Sequence, residues 1–257
     1  MMMKKIPIPR EHGAWAMLYT PFVVTLFTVG QWNWKAFLLL LILTAVFFAH
    51  EPLMLLSRAA TGTDRRREAI QWLSIYCTIA GLLSLPLLFV AKLLLLIPFG
   101  IFSFFMMFTH YRMVSQKNYR NFAAEVLAII NLTSSAPVLY YCLQGKFDPT
   151  AILLWSLNAL YFISSIFYVK MLVGRSSAKL NGYIAECAAY HLSLLAALIA
   201  MASAGWIHWS VCLAFLPATL RAAWGMRTNI KLNLRKIGFA EMGVTFLYLI
   251  LMIVSFR

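Results

Sequence analysis

Apolar windows of roughly 20 residues with few or no charges recur along the whole of this sequence and constrain its fold more than any other feature. Each window is long enough to cross about 30 Å of hydrocarbon as an α-helix. A soluble domain could not cover such windows with polar surface, because 62% of the 257 residues are hydrophobic and only 12% are charged. The sequence therefore predicts an all-α integral membrane protein, a single polytopic domain over residues 1–257 with nine transmembrane helices. The predicted spans lie near residues 13–30, 35–56, 70–91, 93–112, 121–143, 149–171, 185–204, 206–225 and 239–256.

The basic residues predict the orientation of these spans, because the cytoplasmic loops of membrane proteins are enriched in Lys and Arg. With the N-terminus inside, all but four of the 22 basic residues fall on the cytoplasmic side, and the exceptions are Lys35, Lys92, Lys146 and Arg257. We therefore expect a multi-pass protein of a bacterial cytoplasmic membrane with the N-terminus inside and the C-terminus outside. Membrane insertion accounts for the net charge of +14, and without a basic tail or module we expect no nucleic-acid partner.

The four cysteines are dispersed in or beside apolar spans and form no C-x-x-C pair. Disulfides and zinc ribbons are therefore not expected, and no metal site is predicted. The cysteines are interpreted as small apolar packing residues.

The acidic residues indicate where a functional site could lie, because insertion does not require them and an unpaired carboxylate in a membrane is costly. Seven of the eight map to cytoplasmic loops or inner helix ends, and four of the five histidines fall on the same side. We therefore expect a cytoplasm-facing polar cavity. For any single residue, the alternative is that its side chain extends to the headgroups. The residues are Glu11, Glu51, Asp64, Glu68, Glu125, Glu186 and Glu241, with His12, His50, His110 and His191.

Helical spacing places polar residues on shared faces of three spans, which we expect to point towards this cavity. For Glu186 and Glu241, the alternative is that they are first-turn acids that stabilise the helix dipole. The faces are Asn121, Glu125, Asn131 and Ser135 on the fifth span, Glu186, Tyr190 and Ser193 on the seventh, and Glu241, Thr245 and Tyr248 on the ninth.

Two cytoplasmic segments are dense in charge. Arg10, Glu11 and His12 place a cation, an acid and a titratable ring at the mouth of the first span. The second segment runs from 50 to 68, beginning with His50 and Glu51 and containing four arginines. Arginine binds phosphate and carboxylate groups in a bidentate manner, so an anionic ligand is one explanation of this segment. Contacts to lipid headgroups are the alternative explanation for the run 65–67.

The stretches 8–18 and 50–53, together with 168–170 and 174–175, resemble the YwiC-like family of bacterial membrane proteins. The likeness extends over the whole chain, but it implies no particular reaction. The layout of nine helices, with polar inner loops after the second and sixth spans, is more distantly similar to the UbiA superfamily of intramembrane prenyltransferases. That resemblance implies a UbiA-like fold around the cytoplasm-facing cavity.

UbiA enzymes carry two aspartate-rich motifs that bind Mg²⁺ and, through it, a prenyl diphosphate. At the corresponding positions this chain has one acid, Glu51, after the second span and none in 170–175. A two-site Mg²⁺ clamp cannot be assembled from these residues. Either the scaffold serves another task, or Arg58, Lys170 and Arg175 neutralise an anion directly.

The preferred hypothesis is an enzyme-like UbiA relative whose cavity holds an isoprenoid or another lipid-like substrate with an anionic head. The catalytic candidates are His50, Glu51 and Glu125, as acids or bases. The substrate-binding candidates are Arg10, Glu11, His12, Arg58, Asn121, Asn131, Lys170, Arg175, Glu186 and Glu241. The sequence does not specify a cofactor, and the expected partners are the bilayer and this lipid-like ligand.

Three other hypotheses stay open. A transporter could use the same buried polar residues as a path, although no inverted repeat or paired Gly- or Pro-broken helices are evident. A haem protein could take its ligands from His50, His110 and His191, which lie at similar depth. The last is a non-catalytic membrane factor.

Overall fold

A computed structural model describes residues 7–9, 12–58, 62–115, 122–177, 179–228 and 234–256. Within these ranges all regular secondary structure is helical, which confirms the predicted all-α class. When α5 and α6 together are compared with the fifth predicted span, the ends of the helices differ from the ends of the predicted spans by no more than six residues. The helices are α1 (His12–Val29), α2 (Trp34–Arg58), α3 (Asp64–Leu85), α4 (Leu96–Ser115), α5 (Phe122–Thr133), α6 (Ser135–Gln144), α7 (Pro149–Val173), α8 (Leu180–Ser203), α9 (Trp209–Arg227) and α10 (Leu234–Ser255).

Six segments of the described chain are long and apolar enough to cross a membrane, judged by length and composition. They support a multi-pass membrane protein. α1 is a shorter apolar helix, and α4 and α9 are not among the six, so the count of nine spans stays a prediction. The six segments are Trp34–Ser57, Asp64–Val90, Phe122–Gln144, Pro149–Val173, Leu180–Ser203 and Lys236–Ser255.

Large apolar side chains cover the outside of the bundle. Leu82, Phe104 and Phe246 lie within candidate or predicted spans and are 62%, 66% and 62% exposed. Water would penalise such exposure, whereas lipid does not, so these faces are the ones that contact the bilayer.

The predicted fifth span, 121–143, is not one continuous helix, because α5 ends at Thr133 and α6 begins at Ser135. Pro137 explains the break, since its ring nitrogen has no hydrogen to donate to the carbonyl four residues earlier. The indole of Trp155 on α7 donates to the carbonyl of Ile130 at 3.1 Å and to the hydroxyl of Thr133 at 3.2 Å. These bonds satisfy polar groups at the break, as a broken helix within a membrane requires.

α3 ends in a second irregularity, a π-helical turn over Pro86–Val90. The amide of Ala91 donates to the carbonyl of Pro86 at 3.1 Å, a bond that spans five residues. π-turns are rare and are frequently found at functional sites.

α1 connects two groups of helices, since it packs against α5 and α6 on one side and against α7 and α10 on the other. α2 and α4 run in the same direction: Ala36 in the first turn of α2 and Leu93 just before α4 share an apolar cluster, and the C-terminal halves of the two helices meet at His50 and His110. This parallel arrangement brings residues of similar depth on the two helices together.

Asp148 caps the first turn of α7 outside the candidate spans. Its carboxylate accepts hydrogen bonds from the amide of Thr150 at 2.9 Å and from the hydroxyl of Tyr140 at 2.8 Å. Desolvation raises the pKa of Asp148, but these hydrogen bonds and the ammonium of Lys146 outweigh it, so the pKa lies below its ordinary value. The cap therefore stabilises the protein most when Asp148 is ionised.

Candidate functional site

A cavity of about 700 Å³ lies between α2, α3 and α4, and residues of α1, α5 and α6 also line it. Its volume is within the range of small-molecule sites, about 300–1,000 Å³. Most of the lining side chains are apolar, among them Leu39, Val46, Phe99 and Leu127. A chamber of this composition suits a hydrocarbon chain better than a hydrated solute.

Both irregular segments of the backbone line this cavity. Leu88 of the π-turn contributes from α3, and Ser134 and Ser135 contribute from the break between α5 and α6. Non-helical backbone at membrane depth is tolerated where it lines a cavity or is buried in protein. Because both irregular segments line this cavity, their non-helical backbone is tolerated at this depth.

Polar side chains lie where the C-terminal halves of α2 and α4 meet. Nε2 of His50 lies 3.4 Å from Nδ1 of His110, and the ring centroids are 5.4 Å apart with the planes tilted by 40°. Glu51 also lines the cavity and is half-buried. The cavity thus has an apolar chamber and one end that carries two imidazoles and a carboxylate.

Asn131 places an unpaired acceptor on the wall of the cavity. Its Oδ1 is fully buried and has no hydrogen-bond partner among the described residues. The hydroxyls next to it are already engaged: Ser134 donates to the carbonyl of Asn131 at 2.6 Å, and Ser135 donates to the carbonyl of Leu18 at 2.8 Å. A buried amide oxygen without a donor is costly, so it is a candidate contact for a ligand or a water.

The chain just before α1 covers part of the cavity. The hydroxyl of Tyr76 donates to the carbonyl of Pro7 at 3.2 Å, and the indole of Trp15 donates to the carbonyl of Pro9 at 3.0 Å. Pro9 is buried and lines the cavity. Of the charged segment predicted here, Arg10 and Glu11 lie outside the described residues, and for His12 only the backbone is described.

A second polar cluster lies in the other half of the bundle, between α7, α9 and α10. Arg221 forms a buried ion pair with Glu241, and its guanidinium stacks on the ring of Tyr168 at 4.3 Å. The side chains of Arg221 and Glu241 are only 9% and 17% exposed, and Glu241 also accepts a hydrogen bond from Ser165. Nε and Nη2 of Arg221 have no partner among the described residues.

The structure divides the predicted site residues among several places. His50, Glu51 and Asn131 line the cavity together, whereas Glu241 belongs to the ion pair with Arg221. Glu125 is exposed in the first turn of α5 and does not line the cavity. Asn121 and the side chain of Arg58 lie outside what the structure describes.

Lys170, Arg175 and Glu186 also lie away from the cavity. Lys170 pairs with Glu186 at 3.5 Å, and both side chains are about half exposed. Arg175 donates to the carbonyl of Gly225 at 2.6 Å and lines a separate pocket of about 280 Å³ beside Arg227. The single cavity expected from the polar faces of three spans is therefore not what the described residues form.

Sequence reasoning missed two functional or structural partners. His110 was counted among the cytoplasmic-side histidines and as a haem ligand but not among the site residues, although it lies beside His50. The haem set is not brought together among the described residues, because His191 on α8 does not line the cavity that contains His50 and His110. Arg221 was interpreted as one of the cytoplasmic basic residues, and only the packing of α9 on α10 shows that it neutralises Glu241.

The family described as YwiC-like protein has a sequence model that matches residues 8–140. Two relatives are similar to this chain over most of their length. "Uncharacterized protein YwiC" of Bacillus subtilis (strain 168) is 29% identical over 220 residues, which cover 85% of each chain. An "Uncharacterized protein" of Haemophilus influenzae (strain ATCC 51907 / DSM 11121 / KW20 / Rd) is 24% identical over 251 residues, 98% of this chain and 99% of the relative. No solved structure matches this chain.

Proposed function

The chain belongs to the YwiC-like family, and because the family match over residues 8–140 contains every residue that lines the cavity, we propose that this cavity is the functional site and that it binds one lipid-like molecule. The observation that carries the proposal is the combination of an apolar chamber of about 700 Å³ with a polar end formed by His50, Glu51 and His110. An isoprenoid or acyl tail would fill the chamber, and its head would reach the polar end.

The polar groups that line the cavity favour a head that donates hydrogen bonds. Oδ1 of Asn131 is an unpaired acceptor, and the carboxylate of Glu51 is an acceptor as well. Lys170 and Arg175 do not line the cavity, so neither cation is in a position to bind the head of a lipid there. A hydroxyl, phenol or amine matches the described acceptors better.

The cavity can be tested by filling it. Gly81 on α3 and Gly100 on α4 both line the cavity, and a Cβ atom added to either meets nothing within 4 Å. Because the Cβ atom has open space at both positions, we expect leucine there to reduce the open volume of the chamber, and leucine favours the helix more than glycine does. Gly243 on α10 lies outside the cavity and is equally open, so Gly243→Leu is the matched control.

Native mass spectrometry with lipid extraction on the full-length protein gives the measurement. We expect wild type and Gly243→Leu to retain one specific lipid and the Gly81→Leu, Gly100→Leu variant to lose it. Equal retention in the filled variant, or only bulk lipid in wild type, would overturn the proposal. Loss of the lipid from a Lys170→Ala, Arg175→Ala variant would restore the anionic head.

We assign acid–base roles to His50 and Glu51, because these candidates lie at the end of the cavity that the head would reach. Glu51→Gln keeps the size of the side chain and removes the base. If the site performs a reaction, lipid extracted from Glu51→Gln will differ in mass from lipid extracted from wild type. Identical lipids in the two preparations would indicate binding without turnover.

Transport is the second candidate function, and the break between α5 and α6 favours it. Interrupted helices frequently form the substrate sites of transporters, and Ser134 at this break lines the cavity. A proton flux into proteoliposomes that responds to an imposed gradient, and that Glu51→Gln abolishes, would favour transport over lipid chemistry.

The membrane topology is also a proposal. The distribution of Lys and Arg supports nine crossings of a bacterial cytoplasmic membrane, with the N-terminus inside and the C-terminus outside. In that arrangement the C-terminal halves of α2 and α4, and with them the polar end of the cavity, lie towards the cytoplasm.

A further inference from the structure

The distance between the two histidines of the cavity is unusual for a hydrogen bond. Nε2 of His50 and Nδ1 of His110 are 3.4 Å apart, beyond the usual range of about 2.7–3.2 Å for an N–H donor and its acceptor. Two nitrogen ligands of one tetrahedral metal ion, with metal–nitrogen bonds of about 2.0–2.1 Å, lie about 3.3–3.4 Å apart. The two imidazoles therefore have the spacing of a pair of metal ligands.

Thioethers flank this pair on both helices. Met54 follows His50 by one turn on α2, Met106 precedes His110 by one turn on α4, and all four residues line the same cavity. Residues four apart lie on one face of a helix, and side chains lean towards the N-terminus of the helix. The side chain of Met54 therefore leans towards His50, and that of His110 leans towards Met106.

The residue types favour one kind of ion. Among the described residues, no group of three or more His, Cys, Asp or Glu side chains could hold a metal, so the closed shell that a structural zinc ion requires is missing. Imidazole together with soft thioether ligands selects Cu(I). We propose that His50, His110, Met54 and Met106 form a Cu(I) site at the polar end of the cavity.

This site uses residues of the proposed lipid cavity but does not rest on lipid binding. The ion needs the two histidines and the two thioethers, whereas a lipid tail needs the apolar chamber. With Cu(I) bound, the lone pairs of both imidazoles are occupied, so Glu51 would be the acid–base group left to face the head of a lipid.

Competition with bicinchoninate, a coloured Cu(I) chelator, measures the site directly. Full-length protein in detergent under reducing conditions should remove one equivalent of Cu(I) from the chelator. The His50→Ala, His110→Ala variant should lose this binding, and Met54→Leu, Met106→Leu should weaken it at least tenfold, since leucine keeps the volume but not the sulfur. The matched controls are Met242→Leu and His208→Asn, both outside the cavity, and they should bind as wild type does.

Each contrary result overturns the proposal. Wild type that takes up no Cu(I), or a double histidine variant that binds like wild type, excludes the site. Preference for Zn²⁺ over Cu(I) excludes the assigned ion. If the histidine variants do not fold, X-ray absorption of wild type loaded with Cu(I) decides: we expect nitrogen at about 2.0 Å and sulfur at about 2.3 Å, and a shell without sulfur refutes the thioether ligands. Loss of lipid from the Gly81→Leu, Gly100→Leu variant with Cu(I) binding intact would separate the two proposals.

Discussion

Replacing Glu241 alone with leucine should destabilise the protein more than replacing both members of the Arg221–Glu241 pair with apolar residues. Both side chains are almost fully buried, so removing the carboxylate leaves a guanidinium with no counter-ion and several unpaired N–H groups. The guanidinium cannot release its proton, whereas a carboxyl left by Arg221→Met can take one up. Glu241→Leu should therefore cost more than Arg221→Met.

The expected magnitudes follow from burial. Removing one partner of a buried ion pair costs about 3–5 kcal/mol, whereas replacing both by apolar residues is close to neutral. The double variant also loses the stacking of Arg221 on Tyr168, which is worth about 1–2 kcal/mol when desolvated. We therefore expect Arg221→Met, Glu241→Leu to be about 1–2 kcal/mol less stable than wild type. This loss should be smaller than the summed losses of the two single variants by at least about 2 kcal/mol.

The free energy of unfolding of the four proteins in mixed micelles, measured by titration with SDS, tests this expectation. The half-exposed pair Lys170–Glu186 is the matched control, and its coupling should not exceed about 1 kcal/mol because solvent screens it. If the effects at Arg221 and Glu241 add to within about 0.5 kcal/mol, the two side chains do not stabilise each other and the reasoning is wrong.

Three further predictions concern packing, pH and topology. Gly225→Ala should cost about 1–3 kcal/mol, because its Cβ would lie 2.7 Å from the ring of buried Tyr168; unchanged stability in the same SDS titration would contradict this. Asp148→Ala should cost about 0.5–2 kcal/mol at pH 7. Because the folded pKa of Asp148 lies below that of the unfolded chain, this stabilisation is present above about pH 4 and is lost as the pH falls through the folded pKa; a pH-independent difference in thermal unfolding would refute it. An alkaline phosphatase fused to the C-terminus should be active in a bacterial host, and an inactive fusion that is well expressed would exclude an external C-terminus.

The positions of the helices could be predicted from the sequence because membrane insertion imposes a length and an apolar composition on each span. The predicted span 149–171 and the helix Pro149–Val173 begin at the same residue, where Asp148 and Pro149 form a strong start signal. The break at Ser134 was not predicted, although the polar residues Thr133, Ser134 and Ser135 lie there in the sequence. Pro137 was the available signal, but a proline in a membrane helix produces a kink or a break according to its neighbours.

The site could be predicted only in part, because a sequence gives the depth of a residue and the face of a helix but not the helix opposite. His50 and Glu51 were placed at the inner end of the second span, which is where they line the cavity. Lys170 in the last turn of α7 and Arg175 just after that helix were placed at a similar depth, but α7 packs against α8 and α9 instead of lining the cavity. The pairing of Arg221 with Glu241 was hidden for the same reason, since insertion alone accounts for an arginine at an inner helix end.

The two polar clusters differ in a way that separates function from stability. In the second half of the bundle, the charge of Arg221 is neutralised by Glu241 and covered by Tyr168, so that cluster has little charge left to offer a ligand. In the cavity, the Oδ1 atom of Asn131 has no hydrogen-bond partner among the described residues and lies beside an open volume of about 700 Å³. Side chains that satisfy each other hold a fold together, and side chains left incompletely paired around an open volume are the ones available to a ligand. Substitutions on α9 and α10 should therefore change the free energy of unfolding, whereas substitutions at the polar end of the cavity should change what the protein binds.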